Sequence, residues 1–264
     1  MKRWLIILTI LLLACCSLFV YAVYSYYAPP KERQPYIIPH HTDDTLRIAY
    51  IGDSWAAMHK GHDCIIPQIL SDSIHRPVKL SSFGLHGKTS KEIYQCLFDN
   101  QQMHEFMMQG FDYCFISAGI NDTYKKMGAK YYKTSMNCII RFMLANHIRP
   151  VILDIPDYDI VQAYKRQNKS RQLLRKISMQ VTGASLDCKQ EFRNSLKNLV
   201  SEKYFHQASI LYYHEWNNKY HHDLQSYYLS DGMHLNTVGY DRLDRYIANL
   251  IIQQICMNDS IRVK

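Results

Sequence analysis

Glycine is scarce in this chain, ten in 264 residues, and that scarcity excludes a collagen-like polymer; the apolar content excludes a disordered one. No two cysteines stand in a Cys-x-x-Cys pair, which excludes the common zinc spacings. The basic residues are scattered rather than clustered and no nucleic-acid module is recognisable, so nucleic acid is not an expected partner. No internal repeat or low-complexity segment is present. What remains is 47% apolar and 20% charged, with 21 tyrosines. Beyond its first forty residues the chain is still long enough to bury one substantial core.

Two of the eight cysteines, Cys15 and Cys16, lie in an N-terminal apolar run. The other six, Cys64, Cys96, Cys114, Cys138, Cys188 and Cys256, are far apart. Those inside apolar stretches, such as Cys114 and Cys138, are expected to be buried thiols, and disulfides would require an oxidising compartment. The formal net charge is +8. Lys2 and Arg3 precede the apolar run, so 29 of the 31 basic residues face 23 acidic ones in the remainder, a balance of +6. That excess reads as a well-solvated basic surface, or as an attraction for anionic glycans or lipid headgroups.

The run from Trp4 to Val23 is almost unbroken. As a helix, twenty residues match a hydrocarbon core of about 30 Å. Tyr21, Tyr24, Tyr26 and Tyr27 gather at its far end, where amphipathic rings favour the membrane interface. The basic residues before it favour a cytoplasmic N-terminus and an exported body, periplasmic or on the cell surface. A retained signal anchor over residues 1–27 is expected, with a cleaved signal peptide and a lipidated Cys15 in Leu12-Leu13-Ala14-Cys15 as alternatives. Residues 28–44, with four prolines and mixed charge, read as a linker that lifts the domain off the membrane. Residues 45–257 are expected to form the domain and 258–264 a tail.

Within the domain, short apolar runs at 46–51, 78–83, 113–117, 150–155 and 209–213 read as strands. Helical spacing occupies 65–74, 90–108 as one or two helices, 130–146, and 162–203 as two helices broken near Thr182-Gly183. A further helix with an apolar face covers 243–255. Strands alternating with helices imply a parallel sheet covered on both faces, with chemistry in the loops that follow the strands.

Four segments carry reactive residue types, three of them in those loops. Gly52-Asp53-Ser54 follows the first strand, where a tight turn into a helix can expose the serine hydroxyl and its own N–H. Gly84-Leu85-His86-Gly87-Lys88-Thr89 follows the second; a glycine there lets the backbone approach a ligand and offers an N–H, although a plain turn has the same composition. Gly119-Ile120-Asn121-Asp122 follows the third. The Asn121 amide can aim at an oxyanion, or Asn121 or Asp122 can simply cap the next helix. Asp231-Gly232-Met233-His234, near the C-terminus, sets a carboxylate three residues before an imidazole. On a turn the two side chains can meet, so that Asp231 holds the ring's tautomer while His234 accepts the serine proton.

In this order, the four blocks resemble those of the SGNH (GDSL) hydrolases, and they span Gly52 to Gly239. The resemblance implies a flavodoxin-like three-layer α/β/α sandwich with a parallel sheet and a shallow, open site. It places the nucleophile on Ser54 and the acid–base pair on Asp231 and His234. It places the oxyanion donors on the Ser54 N–H, the Gly87 N–H and the Asn121 side chain, Gly87 being preferred to Gly84 because a threonine follows it closely. Two residues depart from the family pattern. Trp55 stands where leucine is typical and is expected to reshape the pocket edge, and His86 has no assigned role.

The implied activity is ester hydrolysis through an acyl-enzyme, requiring neither metal nor organic cofactor. A small ester or an acylated, especially acetylated, carbohydrate is the expected substrate, and the membrane a partner through the N-terminal helix. An acyltransferase using the same residues, a lipid esterase or thioesterase, and a glycan-binding module without turnover are the alternatives.

Overall fold

Alternation of apolar runs with helical stretches produces five parallel strands in one sheet, ordered β2-β1-β3-β4-β5. The computed structural model describes residues 2–59, 64–217 and 219–262; Met1 of the expected anchor and the last two residues of the expected tail lie outside them. Helix α1 (Lys2–Tyr27) is followed by β1 (Leu46–Gly52), α2 (Ser54–His59), α3 (Ile66–Ile74), β2 (Val78–Gly84), α4 (Ser90–Asp99), α5 (Gln101–Met107), β3 (Tyr113–Ser117) and α6 (Ile120–Lys125). Then come α7 (Ala129–Ala145), β4 (Arg149–Leu153), α8 (Ile160–Lys165), α9 (Lys169–Thr182), α10 (Lys189–Lys203), β5 (Ser209–Leu211), α11 (Tyr213–Trp216), α12 (Tyr220–Tyr227) and α13 (Thr237–Arg262).

The sheet is the middle layer of an α/β/α sandwich. Helices α2, α3 and α13 pack together over one face, and α4, α5, α7 and α10 over the other. Burial from both sides explains why β1 and β3 read as continuous apolar runs: six of seven residues in β1 and all five in β3 are buried. The strand order reverses between β1 and β3, since β2 lies on one side of β1 and β3 on the other. Beyond the carboxyl ends of the strands, such a switch point opens a crevice between the loops.

Several boundaries differ from the sequence expectation, each for a local reason. The stretch 162–203 belongs to three helices rather than two. One break is at Gly183, in the left-handed region at φ 73°; the other falls before Asn168, whose side chain accepts the Arg171 N–H and caps α9. Strand β5 stops at Leu211 because Tyr213 already opens α11. Helix α13 begins at Thr237, six residues before the expected start, with the Asn236 side chain accepting the Gly239 N–H at 2.9 Å.

Residues 28–44, read as a spacer, lie against the domain instead. The Arg33 N–H donates to the Tyr94 hydroxyl at 2.7 Å and the Ile38 N–H to Asn146 Oδ1 at 2.8 Å. Ile38 is buried, and the Tyr36 ring packs edge-on against Phe98 and Phe142. Proline and charge suggested a free tether, but Tyr36 and Ile38 bury enough apolar surface to hold the segment down. Helix α1 is long and apolar enough to cross a membrane, a property that an anchor and a signal sequence share. Among the described residues no cysteine is in a disulfide, and Cys114, Cys138 and Cys188 are buried.

Candidate active site

The first loop is a single residue, Asp53, between β1 and α2. The Asp53 N–H donates to the Ser117 carbonyl at 3.0 Å, so β1 stays paired with β3 to its last residue. Asp53 then turns the chain: its carbonyl accepts the Ala57 N–H and its Oδ1 the Trp55 N–H at 3.0 Å. Ser54 is the first residue of α2, buried apart from the side turned to a cavity. At the other end of α2, the buried His59 ring meets the buried Asp244 carboxylate at 2.8 Å, tying the helix to α13. Trp55 is fully buried, edge-on to Trp216 and Tyr240. It reinforces the packing of α2 on the C-terminal helices and does not shape the pocket edge, contrary to the sequence expectation, because a helix residue next to Ser54 points about 100° away from it.

The segment from Asp231 to His234 is a clamped turn. Tyr228 and Leu235 form an antiparallel bridge, the Leu229 N–H donates to the His234 carbonyl at 2.8 Å, and Gly232 takes φ 66° between them. The Tyr220 hydroxyl donates to the Gly232 carbonyl at 2.6 Å. Within the turn, Asp231 Oδ1 accepts the backbone N–H groups of Met233 (2.9 Å) and His234 (3.0 Å), leaving Oδ2 for the His234 ring at 2.5 Å from Nδ1. On the far side of the ring, Nε2 is 2.8 Å from Ser54 Oγ. Burial pushes the Asp231 carboxyl up, but the hydrogen bonds from the His234 ring and the two backbone N–H groups outweigh it and hold it below its ordinary value. A carboxylate, an imidazole and a hydroxyl 180 residues away thus form one hydrogen-bonded line.

The other two loops are locked to one another. The buried Asp122 carboxylate accepts the Ser90 N–H at 2.8 Å and the Ser90 hydroxyl at 2.6 Å, joining the loop after β2 to α6. Lys125 Nζ donates to the Gly87 carbonyl at 2.8 Å. Gly87 has φ 71°, a left-handed conformation that explains the glycine. Neither Asn121 nor Asp122 caps α6; the N-cap is Gly119, with no side-chain bond, and Asn121 is the helix's second residue. Asn121 Nδ2 reaches Asp53 Oδ2 at 3.4 Å.

Ser54, Gly87, Asn121, Asp231 and His234 all line one cavity of about 400 Å³. His86 lines it too, which gives that residue a place. Met58, Tyr124, Arg166 and Met233 complete much of the wall. Sequence reading missed them because none belongs to a recognisable spacing; they arrive from four different elements or turns. A second cavity of about 440 Å³, bounded by α8 and α12, shares Ala163, Arg166 and Asp231 with the first.

Asp53 has a further property that its motif hid. Complete burial, reinforced by the neighbouring Asp122 charge, pushes its carboxyl up to about 7 against hydrogen bonds from Trp55 and Asn121. The folded protein therefore keeps a proton between the ordinary value of 3.8 and about 7 that the unfolded chain has released. Stability should fall as pH rises through that window. Asp53→Asn should flatten the fall in urea midpoint between pH 4 and 8. A residual slope is expected because burial also pushes Asp122 and Asp154 up to about 6. An unchanged slope in Asp53→Asn would show that this carboxyl titrates normally.

No sequence-family model and no curated protein matches the chain. Solved structures do. A lipase/acylhydrolase from Enterococcus faecalis superposes with a TM-score of 0.54 at 14% identity, covering 79% of this chain and 96% of its own. A candidate SGNH hydrolase from Slackia heliotrinireducens gives 0.50 at 14%, covering 78% and 98%. An acetyl xylan esterase from Geobacillus stearothermophilus gives 0.52 at 13%, covering 77% and 93%. The likeness is one of fold, and the fold is that of the SGNH hydrolases.

Proposed function

We propose that this chain, built on the SGNH hydrolase fold, is a serine ester hydrolase with Ser54 as nucleophile. The observation that carries the reading is the continuous hydrogen-bonded line from Asp231 through His234 to Ser54 along the wall of one cavity. His234 Nε2 takes the proton from Ser54 Oγ as the oxygen attacks the ester carbonyl, and Asp231 supports the imidazolium that forms. The tetrahedral oxyanion is received by the N–H of Ser54, the N–H of Gly87 and the Asn121 amide. Protonated His234 then gives its proton to the leaving alcohol, and water repeats the sequence on the acyl-enzyme.

Asn121 has two uses for its amide in this scheme, the oxyanion and Asp53. Asn121→Ala should lower kcat by about a hundredfold while moving KM little, since the bond strengthens only in the transition state. A loss of less than threefold, read from steady-state kinetics, would assign Asn121 to holding Asp53 alone.

A short acyl group, acetyl foremost, on a carbohydrate or other small ester is the proposed substrate. The likeness to an acetyl xylan esterase supports it, as does a second cavity that meets the first at Arg166 and Asp231 and offers room for an alcohol portion. The body is placed outside the cytoplasm, held by α1, on the strength of Lys2 and Arg3 before the apolar run. Treatment of the full chain with a fluorophosphonate tests the chemistry: one adduct on the peptide containing Ser54 is expected. A chain that takes up no label while folded has no activated serine.

A further inference from the structure

Helix α9 is built inside out. Arg175 and Ser178 are its buried residues, and Thr182 Oγ1 donates to the Lys126 carbonyl at 3.0 Å, so its polar side turns toward the body. Its apolar side turns outward: Leu173, Leu174, Ile177 and Val181 are 59%, 46%, 39% and 49% exposed. At 3.6 residues per turn these four fall within an arc of about 100°. Lys169 and Lys176, both exposed, flank one edge of that arc. A surface helix ordinarily turns such a stripe inward, and leaving it in water forgoes about 25 cal/mol per Å².

The position of α9 says what covers it. The hydroxyl of Tyr27, the last residue of α1, is 2.5 Å from Ser178 Oγ on α9. Lys91 Nζ holds the same end of α1 through the carbonyls of Ser25 (3.0 Å) and Ala28 (2.8 Å). That end carries the tyrosine cluster, the composition that settles at the level of lipid headgroups. Helix α9 is therefore held at the depth where an apolar face can enter the acyl boundary. Lysines on its flank can extend their stems along that boundary and set their charges among anionic phosphates.

We propose that α9 lies in the interface of the membrane that α1 enters, with Leu173, Leu174, Ile177 and Val181 as its lipid-facing stripe. The inference rests on α1 being a membrane helix and is independent of the esterase reading. It has a consequence for the active site. Arg166, just before α9, lines the catalytic cavity, and the Arg175 guanidinium is 5.6 Å from the ring centre of Tyr124, another cavity wall. Docked in this way, α9 holds the cavity beside the lipid surface, where an ester on a membrane-held molecule meets Ser54.

The test is photo-crosslinking of the full chain in vesicles of phosphatidylcholine and phosphatidylglycerol, with benzoylphenylalanine introduced at one position at a time. Leu12→benzoylphenylalanine reports on α1 and Ile177→benzoylphenylalanine on α9. Phe205→benzoylphenylalanine lies in an exposed turn before β5, at the opposite end of the strands, and serves as the comparison in water. Lipid adducts are expected at positions 12 and 177, with about fivefold or more at 177 over 205. Adducts at 12 with no excess at 177 overturn the proposal, as does a 177 adduct to a second copy of the chain. No adduct at 12 removes the anchor and the proposal with it. Hydrolysis of a soluble ester by the same preparations reports on the esterase reading separately.

Discussion

Ser54→Ala should lower the hydrolysis of p-nitrophenyl acetate by about ten-thousandfold or more, leaving only the residual rate that binding and the oxyanion donors supply. The substitution removes one oxygen, bonded to His234 Nε2 at 2.8 Å, from the first residue of α2. Stability should change by no more than about 1 kcal/mol, the typical net value of one such bond. His234→Ala should cost about as much in rate, and the double variant no more than either alone, because the two groups act as one unit. Rates are read under saturating substrate alongside urea unfolding of each variant. A Ser54→Ala protein that is stable and retains a tenth of the activity would sink the acyl-enzyme.

Gly84→Ala should be the most damaging substitution of a single hydrogen by a methyl. A Cβ at position 84 would lie 1.8 Å from the Ala57 backbone nitrogen and 2.2 Å from its Cα, in the helix that carries Ser54. Nothing flexible is in the way to give. Ala57 is itself fixed by its N–H bond to the Asp53 carbonyl. The variant should lose on the order of 3 kcal/mol, at the upper end of overpacking costs, and the folded fraction should be slower because α2 has been pushed off its seat. Gly183→Ala provides the comparison. Its Cβ meets nothing within 4 Å, but its φ of 73° is left-handed, so the cost should be about 1–2 kcal/mol with no loss of activity. Equal urea midpoints for the two would mean that the strand-to-helix contact at Gly84 is loose.

That contact also shows how much could be read from the chain. Gly52 and Gly84 pair across β1 and β2 and each ends a strand. Their places in the motifs marked where chemistry follows, but not the reason for glycine. At Gly52 the reason is the Ser117 carbonyl, 2.1 Å from a would-be Cβ, and at Gly84 it is α2. The spacing of Asp231 and His234 predicted a contact on a turn. The turn's clamp, made by Tyr220 and the Tyr228–Leu235 bridge, depended on partners that no spacing announces. Asn121 was legible as either an amide donor or a cap, and the position of Asp53, 68 residues away, decided which bond it makes.

From the sequence alone came the α/β alternation, the order of the strands' reactive loops and the residues now gathered round one cavity. Those features follow from local periodicity and from residue types that chemistry requires at particular places, and both survive in a linear string. The tertiary structure decided the raised carboxyl of Asp53, the docking of residues 28–44 and the outward apolar stripe of α9. Each of these depends on what lies across space: a carboxyl's proton on its burial, a tether's freedom on the surface beneath it, and a helix's inward face on the neighbour it meets. In α9 those neighbours are the Tyr27 hydroxyl at the end of α1 and the Lys126 carbonyl of the domain, so the apolar stripe, drawn the same way in sequence, points away from the core.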